Sequence, residues 1–502
     1  MKLNPIFIFL FSLLLTVFHP VLAQENPELS DLEIMNAVET EYLNHSQVPA
    51  NDIDVLATEG IVTLRGRVNN ILAKEHATNV AEVVKGVRAV VNLLELDPPK
   101  NSVADTIEQD IKYALLRDPA TESYEISVSA EADGLVVLGG VVDSWQERLL
   151  AETVAKGVAG VTAINNKIKI NFKNNRTDEE IRTEAEQRLR WDIRVDHSLI
   201  DVKVNDGKVE LRGLVGSAAE KRLARWDASV GGVKSVDTSE LEVDWTLHNE
   251  KIRANEYVIY SDKEIREALQ DALLYDPRVN LFEITPEVSN GYITLKGVVD
   301  NLKAKQSAEQ DAHNTVGVNG VTNLIKVRPI KNISDAAISK NIRTTLASDV
   351  LVNSYEIIIG VASGTVHLYG TVDSNFEKAR VEDIAYRSRG VQHVRNHIDV
   401  NFSEASYYDP YLYPQWPYYG YPWHMAPSRV YSMTDVEILR KIKKELWWSP
   451  FVDADQIEVF VEDGVATLLG VVNSWSDYNA AGNNALEGGA WRVINKIKVR
   501  EK

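Results

Sequence analysis

The nine-residue pattern Gly-x-x-x-Leu-x-Gly-x-Val occurs six times in this chain. It starts at Gly60, Gly134, Gly207, Gly291, Gly364 and Gly464, and its second glycines are Gly66, Gly140, Gly213, Gly297, Gly370 and Gly470. A pattern that returns about every 70 to 100 residues makes most of the chain one small domain in six copies. Any function must therefore be one that copying serves.

Each copy has the same plan. Ser30, Thr177, Ser261, Ser334 and Thr434 stand as N-cap candidates before Asp31, Asp178, Asp262, Asp335 and Asp435. The acids that follow sit in the first helical turn, where they favour the helix dipole. Apolar residues at helical spacing come next, such as Ile265, Ala268, Leu269, Ala272 and Leu273. Asp118-Pro119, Asp276-Pro277 and Ser449-Pro450 end these helices, because the residue before proline avoids the helical region. Alternating segments such as Ile200–Val204 and Ile457–Val461 then form the first strand of a hairpin. Its turns are Asn205-Asp206-Gly207, Ser289-Asn290-Gly291, Ala132-Asp133-Gly134 and Glu462-Asp463-Gly464.

The first glycine of the motif thus belongs to the turn. The second lies inside the returning strand and marks a bulge or a close backbone contact, a structural role. A polar step, such as Asp143-Ser144-Trp145 or Asn473-Ser474-Trp475, starts a second helix. Asp143, Asp300 and Asp373, with Asn69 and Asn473, hold equivalent positions there and fit helix capping. A Gly-Val pair follows at Gly86, Gly160, Gly232, Gly320 and Gly390, with Gly489-Ala490 in the sixth copy, and then a last strand. The expected fold is α+β: six helix-strand-strand-helix-strand domains, each with two helices on one face of a three-stranded sheet. A unit near 70 residues can bury a modest core of its own, so the expected array is a string of beads.

The matching features resemble the BON domain, the bacterial osmotically inducible and nodulation domain. They are the glycine-bearing strand, the following helix and a Gly-Val-x-x-Val-x-Asn close, as in Gly86 to Asn92 and Gly390 to Asn396. The third, fourth and sixth copies drift at this close. The six copies cover residues 30–97, 102–170, 177–244, 261–329, 334–402 and 434–500. The resemblance implies a non-enzymatic periplasmic or envelope role, binding phospholipid or other envelope surfaces under osmotic or envelope stress. It carries no catalytic residue, cofactor or metal ligand onto the chain.

Composition bounds the rest. Lys2, the apolar run Ile6–Phe18 and the small residues ending at Ala23 form a secretory signal pattern, expected to be cut after Ala23. The run is shorter than the roughly 20 residues of a membrane span. Export to the periplasm is the expectation. The chain has no cysteine, so its cores must stand without disulfides and no thiol can carry a lipid. A formal net charge of −19 argues against nucleic-acid binding. It also argues against general attraction to anionic lipid. The ten histidines are scattered, and no metal-ligand spacing, nucleophile elbow or phosphate loop occurs. No enzymatic activity is expected.

Two segments do not repeat. Residues 245–260 form a linker, as a short strand or packed against its neighbours, and split the array into halves of three. Residues 403–433 contain the stretch 407–423, where nine of 17 residues are Tyr or Trp and four are proline. Those prolines exclude a regular helix and favour an extended, polyproline-like form. Trp416, Tyr418, Tyr419, Tyr421 and Trp423 are the candidate contacts with a surface. The stretch serves as a packing linker, an insertion at a membrane interface, or a stacking surface for glycan or envelope proteins.

Overall fold

The computed structural model describes residues 29–500 apart from 46–47, 49, 98–103, 122–123, 132, 172–175, 249–259, 280–281, 330–332, 353–356, 373–374, 401–432 and 491. All six copies have the expected order. In the third, a helix Asp178–Trp191 is followed by strands Ile200–Asn205 and Lys208–Val215, a helix Ala218–Asp227 and two short strands, Ser235–Asp237 and Leu241–Val243. The hairpin is antiparallel. The closing segment returns parallel to the hairpin's second strand, which lies at the centre of the sheet. Both helices pack on one face, over a core that includes Ile181, Leu189, Leu211 and Leu223.

Capping chemistry explains the helix starts. Ser30, Thr177, Ser261 and Thr434 form full capping boxes with Glu33, Glu180, Glu264 and Glu437. The aspartate after each cap does more than favour the helix dipole. The Asp178 carboxylate accepts from the Asp206 and Gly207 N–H groups, both at 2.8 Å, and so grips the hairpin turn. Asp31, Asp262, Asp335 and Asp435 make the same pair of bonds. These donors hold the Asp31 and Asp262 carboxyls below the usual range. The gripped turns have two successive positive φ angles, 51° at Asp206 and 70° at Gly207, the geometry that matches strand twist. The second copy has Ala104 at the aspartate's place, and its turn is one residue longer.

The second motif glycine sits opposite an isoleucine in every hairpin: Ile53, Ile126, Ile200, Ile284, Ile357 and Ile457. The registers run without a bulge through these pairs, so close approach is the reason for glycine. At Gly66, with φ 124°, a Cβ would stand 1.9 Å from the Asp52 carbonyl oxygen. At Gly213 it would stand 2.0 Å from that of Leu199.

Three details differ from the sequence reading. The caps of the second helices are Asn70, Ser144, Ser217, Asn301 and Ser474, one residue past Asn69, Asp143, Asp300 and Asn473. Asp373 lies outside the described residues. The Gly-Val pair of the fourth copy is Gly317-Val318: Gly317 has φ 83°, whereas Gly320 begins the closing strand opposite Tyr292. The fourth copy thus ends on the full closing pattern, down to Asn323. In copies one, two, four and six that asparagine position also splits the last strand, whereas in copy five the strand His393–Val400 runs through it. The Asn92 amide donates to the Lys74 carbonyl at 2.7 Å, while its Oδ1 accepts from Leu94 N at 3.0 Å. The chain steps inward there and buries Leu94. Asn166, Asn323, Asn396 and Asn495 make equivalent bonds.

The bead expectation is corrected. Copies pair one with six, two with five and three with four, through the ends of their helices. Ile193 N donates to Asn314 O at 3.0 Å and Val316 N to Trp191 O at 3.1 Å. The same exchange joins Val350 to Gly157 at 3.3 Å and Ala159 to Ser348 at 3.1 Å. Between copies six and one only Lys85 N to Trp448 O, 3.2 Å, has an equivalent. Pro450 stands where Ile193 and Val350 donate, and proline has no N–H. Each half is also bound within itself. Arg222 meets Glu82 at 2.6 Å, Lys156 meets Glu75 at 2.5 Å and Trp145 Nε1 donates to Val233 O at 2.6 Å. Trp475 Nε1 similarly donates to Asn319 O at 3.3 Å. Each of these contacts within a half has at least one partner on a second helix. Residues 245–248 form a short 3₁₀ turn, and the remainder of that linker to 259 lies outside the described residues.

Gly213→Ala should destabilise the protein by roughly 2 kcal/mol or more, from positive-φ strain and a backbone clash. Gly360→Ala should be neutral or slightly stabilising, since its Cβ would meet His367 only at 3.9 Å. Calorimetric melting of the two variants beside the parent checks the contrast.

Candidate functional site

The five aromatic candidates, Trp416, Tyr418, Tyr419, Tyr421 and Trp423, lie outside the described residues. The six strand glycines are inside the hairpins, where their backbone approaches the opposite strand. Two other features emerge from the described residues: the open faces of the sheets and a charged centre between copies.

Helices cover only one face of each sheet, so alternate strand residues on the other face meet solvent. Several are large and apolar. Leu56 and Ile61 in copy one, Tyr292 and Val298 in copy four, Ile358 and Tyr369 in copy five, and Phe460 and Val471 in copy six are all exposed. Copy five carries a stack of rings on this face. His367, Tyr369 and His397 lie nearly parallel, with Tyr369 and His397 centroids 4.9 Å apart and His367 and His397 5.7 Å apart. Cross-strand register produces the stack, because Tyr369 pairs directly with His397. Alternation alone foretells which residues face outward, but a half-exposed strand gives no sequence signal that its outer rings will stack.

The charged centre was not foreseen. Asp383 in copy five accepts from Lys303 of copy four at 2.6 Å and lies 2.7 Å from Arg387 of its own helix. Arg387 also reaches Asp118 of copy two at 3.1 Å. Burial alone would raise the Asp383 carboxyl, but Arg387, Lys303 and Arg380 hold it far below the usual range. Arg194 and Arg278 close bidentate bonds on Asp192 and Asp276, two residues earlier. Part of this is visible in the sequence: Asp-x-Arg after the first helix occurs only in copies three and four. Around these groups runs a cavity of about 550 Å³, walled by copies two to five.

Two buried carboxyls face the cavity in the opposite state to Asp383. Burial pushes the Asp227 carboxyl well up, and the neighbouring Asp192 charge adds to this against Arg188 and Arg194. Asp311 is raised by burial and by Asp276. Buried histidines elsewhere go down. Burial takes His45 from 6.5 to about 4, and lowers His76 and His313. His45 and His76 meet edge to face, and His76 touches Phe376 of copy five. No group of residues suited to hold a metal ion occurs among the described residues. No described helix is long and apolar enough to cross a membrane.

These shifts set opposite pH dependences. Raised aspartates stabilise the fold fully only in acid, below their unfolded value, and that contribution is lost as pH rises through the folded value. Lowered histidines stabilise it above 6.5 and lose that contribution as pH falls toward about 4. His45 alone would then contribute roughly 3 kcal/mol across the window. Calorimetric melting should show the parent weakening between pH 6.5 and 4. Asp227→Asn should melt higher than the parent at pH 8, with the difference closing toward pH 4.

Comparison with known proteins matches this architecture. The BON domain model matches residues 30–98, 104–171, 177–244, 261–329, 334–401 and 434–501. Osmotically-inducible protein Y of Escherichia coli (strain K12) is 34% identical over 147 residues, 28% of this chain and 73% of that protein. An uncharacterized protein in the gshII 5' region of Anaplasma centrale is 30% identical over 126 residues, 24% of this chain and 83% of its own length. The structural protein CdsD of the Type III secretion system of Chlamydia trachomatis aligns at 16% identity over 42% of this chain and 91% of its own, with a TM-score of 0.12, which supports no argument. Six matches in tandem, on units with one shared topology, show that the chain belongs to the BON domain family.

Proposed function

We propose that this chain is an exported, non-enzymatic envelope protein that binds phospholipid surfaces and serves in osmotic or envelope stress. The apolar side chains exposed on the open sheet faces carry this reading. Phe460, Tyr369, Ile358 and Tyr292 offer shallow apolar contact on the sides their helices leave open. The similarity to a protein named as osmotically inducible supports the stress context. The signal pattern ending at Ala23 supports export to the periplasm.

The packing between copies changes how multivalency would act. Linked weak contacts add to useful avidity only where geometry lets them engage together. Here the copies hold fixed relative positions, so only faces on the same side can meet one flat surface at once. The net charge of −19 makes apolar contact the main attraction, with little help from anionic headgroups. The aromatic stretch 407–423 is a further contact in this reading, through Trp416, Tyr418, Tyr419, Tyr421 and Trp423.

Sedimentation with phospholipid vesicles tests it, using the chain without residues 1–23. The parent should pellet with phosphatidylethanolamine–phosphatidylglycerol vesicles, and pelleting should survive added salt. A Phe460→Ser, Tyr369→Ser, Ile358→Ser variant should lose several-fold affinity, and deletion of 407–423 should reduce it further. No pelleting with any lipid mixture overturns the lipid reading and leaves envelope proteins or glycan as the partner. Undiminished pelleting after the deletion removes the aromatic stretch from the contact.

A further inference from the structure

The cavity between copies two, three, four and five holds about 550 Å³, within the roughly 300–1,000 Å³ of small-molecule sites. Its wall contains nine carboxylic side chains against six basic ones. Five of the six basic groups already have carboxylate partners. Arg176 pairs with Glu184, Arg194 with Asp192, Arg278 with Asp276, Lys303 with Asp383 and Arg387 with Asp118. The sixth, Arg188, lies over the Tyr275 ring at 4.8 Å. An incoming anion would find one cation and a surplus of acid.

Besides Arg387 Nε, which is ion-paired with Asp383, the buried polar atoms of the wall that have no hydrogen-bond partner are one donor, Arg188 Nη1, and three carboxylate oxygens. Asp227 Oδ2, Asp311 Oδ2 and Glu184 Oε1 are buried and have no hydrogen-bond partner. Asp227 is 5% exposed and Glu184 8%. A buried acceptor without a donor is costly, and these three line one space. Trp191, Trp226 and Tyr275 line it too, an aromatic and apolar surface that suits the methylenes of an alkylammonium ion.

We propose that this cavity binds a small organic cation of the alkyl di- or polyamine class. Its ammonium groups donate to Asp227, Asp311 and Glu184, and its methylenes lie along the aromatic wall. The charge states agree. In the empty cavity, burial and the charges of Asp192 and Asp276 keep protons on Asp227 and Asp311, against Arg188, Arg194 and Arg278. A bound ammonium takes over that neutralising role and displaces the protons, so affinity rises with pH. Because the site is built from four copies, occupancy also ties the two halves of the chain together.

Isothermal titration calorimetry of the chain without residues 1–23, with putrescine and spermidine as probes and succinate as the anionic control, tests the proposal. Saturable binding of one amine at pH 8 is expected, weakened at least tenfold at pH 5. Asp227→Asn and Glu184→Gln should each weaken it tenfold or more, with melting retained. Ala272→Phe, which narrows the cavity without altering charge, should weaken it tenfold or more and covers the case in which a carboxyl variant fails to fold. No saturable heat with either amine overturns the proposal. So does succinate binding in their place, or amine affinity unchanged in all three variants.

Discussion

Five of the six copies share the grip of one carboxylate on two backbone N–H groups. Asp178 follows the Thr177 cap in the first helical turn, and its oxygens reach across 28 and 29 residues to Asp206 and Gly207. That contact fixes where the hairpin turns relative to the helix. Once the turn is set, register follows, and register brings the strand glycine opposite its isoleucine. The sheet then has one way to present its alternating residues, with Val209 and Leu211 inward. Copy two marks the limit of this grip: with alanine in place of the aspartate the turn is one residue longer, yet the glycine–isoleucine pairing is kept.

The interior of each copy was legible because its signals are local. Caps, alternation, turn glycines and the proline stops all act within a few residues. The role of the cap-following aspartate was only half legible, since a first-turn acid looks alike whether it meets solvent or a distant turn. The slip at Gly320 has a similar cause. Two Gly-Val pairs lie three residues apart in copy four, and only the positive φ of Gly317 separates them.

Packing between copies was hidden for a different reason. Asp192, Arg194, Asp383 and Arg387 are ordinary surface types in sequence, and charge on a helix is expected to face water. They become interior only because copies two to five close on one another, which no single unit encodes. The alanines of the second helices gave no hint of it: Ala224, Ala308 and Ala312 are fully buried in the cores of their own copies. The candidate contact surface divides the same way: outward strand positions were readable, whereas the cavity is a property of the assembly.

The pairing of copies also orders events in time. Three with four, two with five and one with six are nested, like brackets around the linker at 245–260. Joining the innermost pair shortens the loop that the next must close, so the entropy of each closure is reduced by the one before it. Folding from the middle outward is the route of least loop closure. The outermost bracket is then both last to form and least secured, because Pro450 leaves it one backbone bond short. Unzipping would start there, at the seam that joins the two ends of the chain.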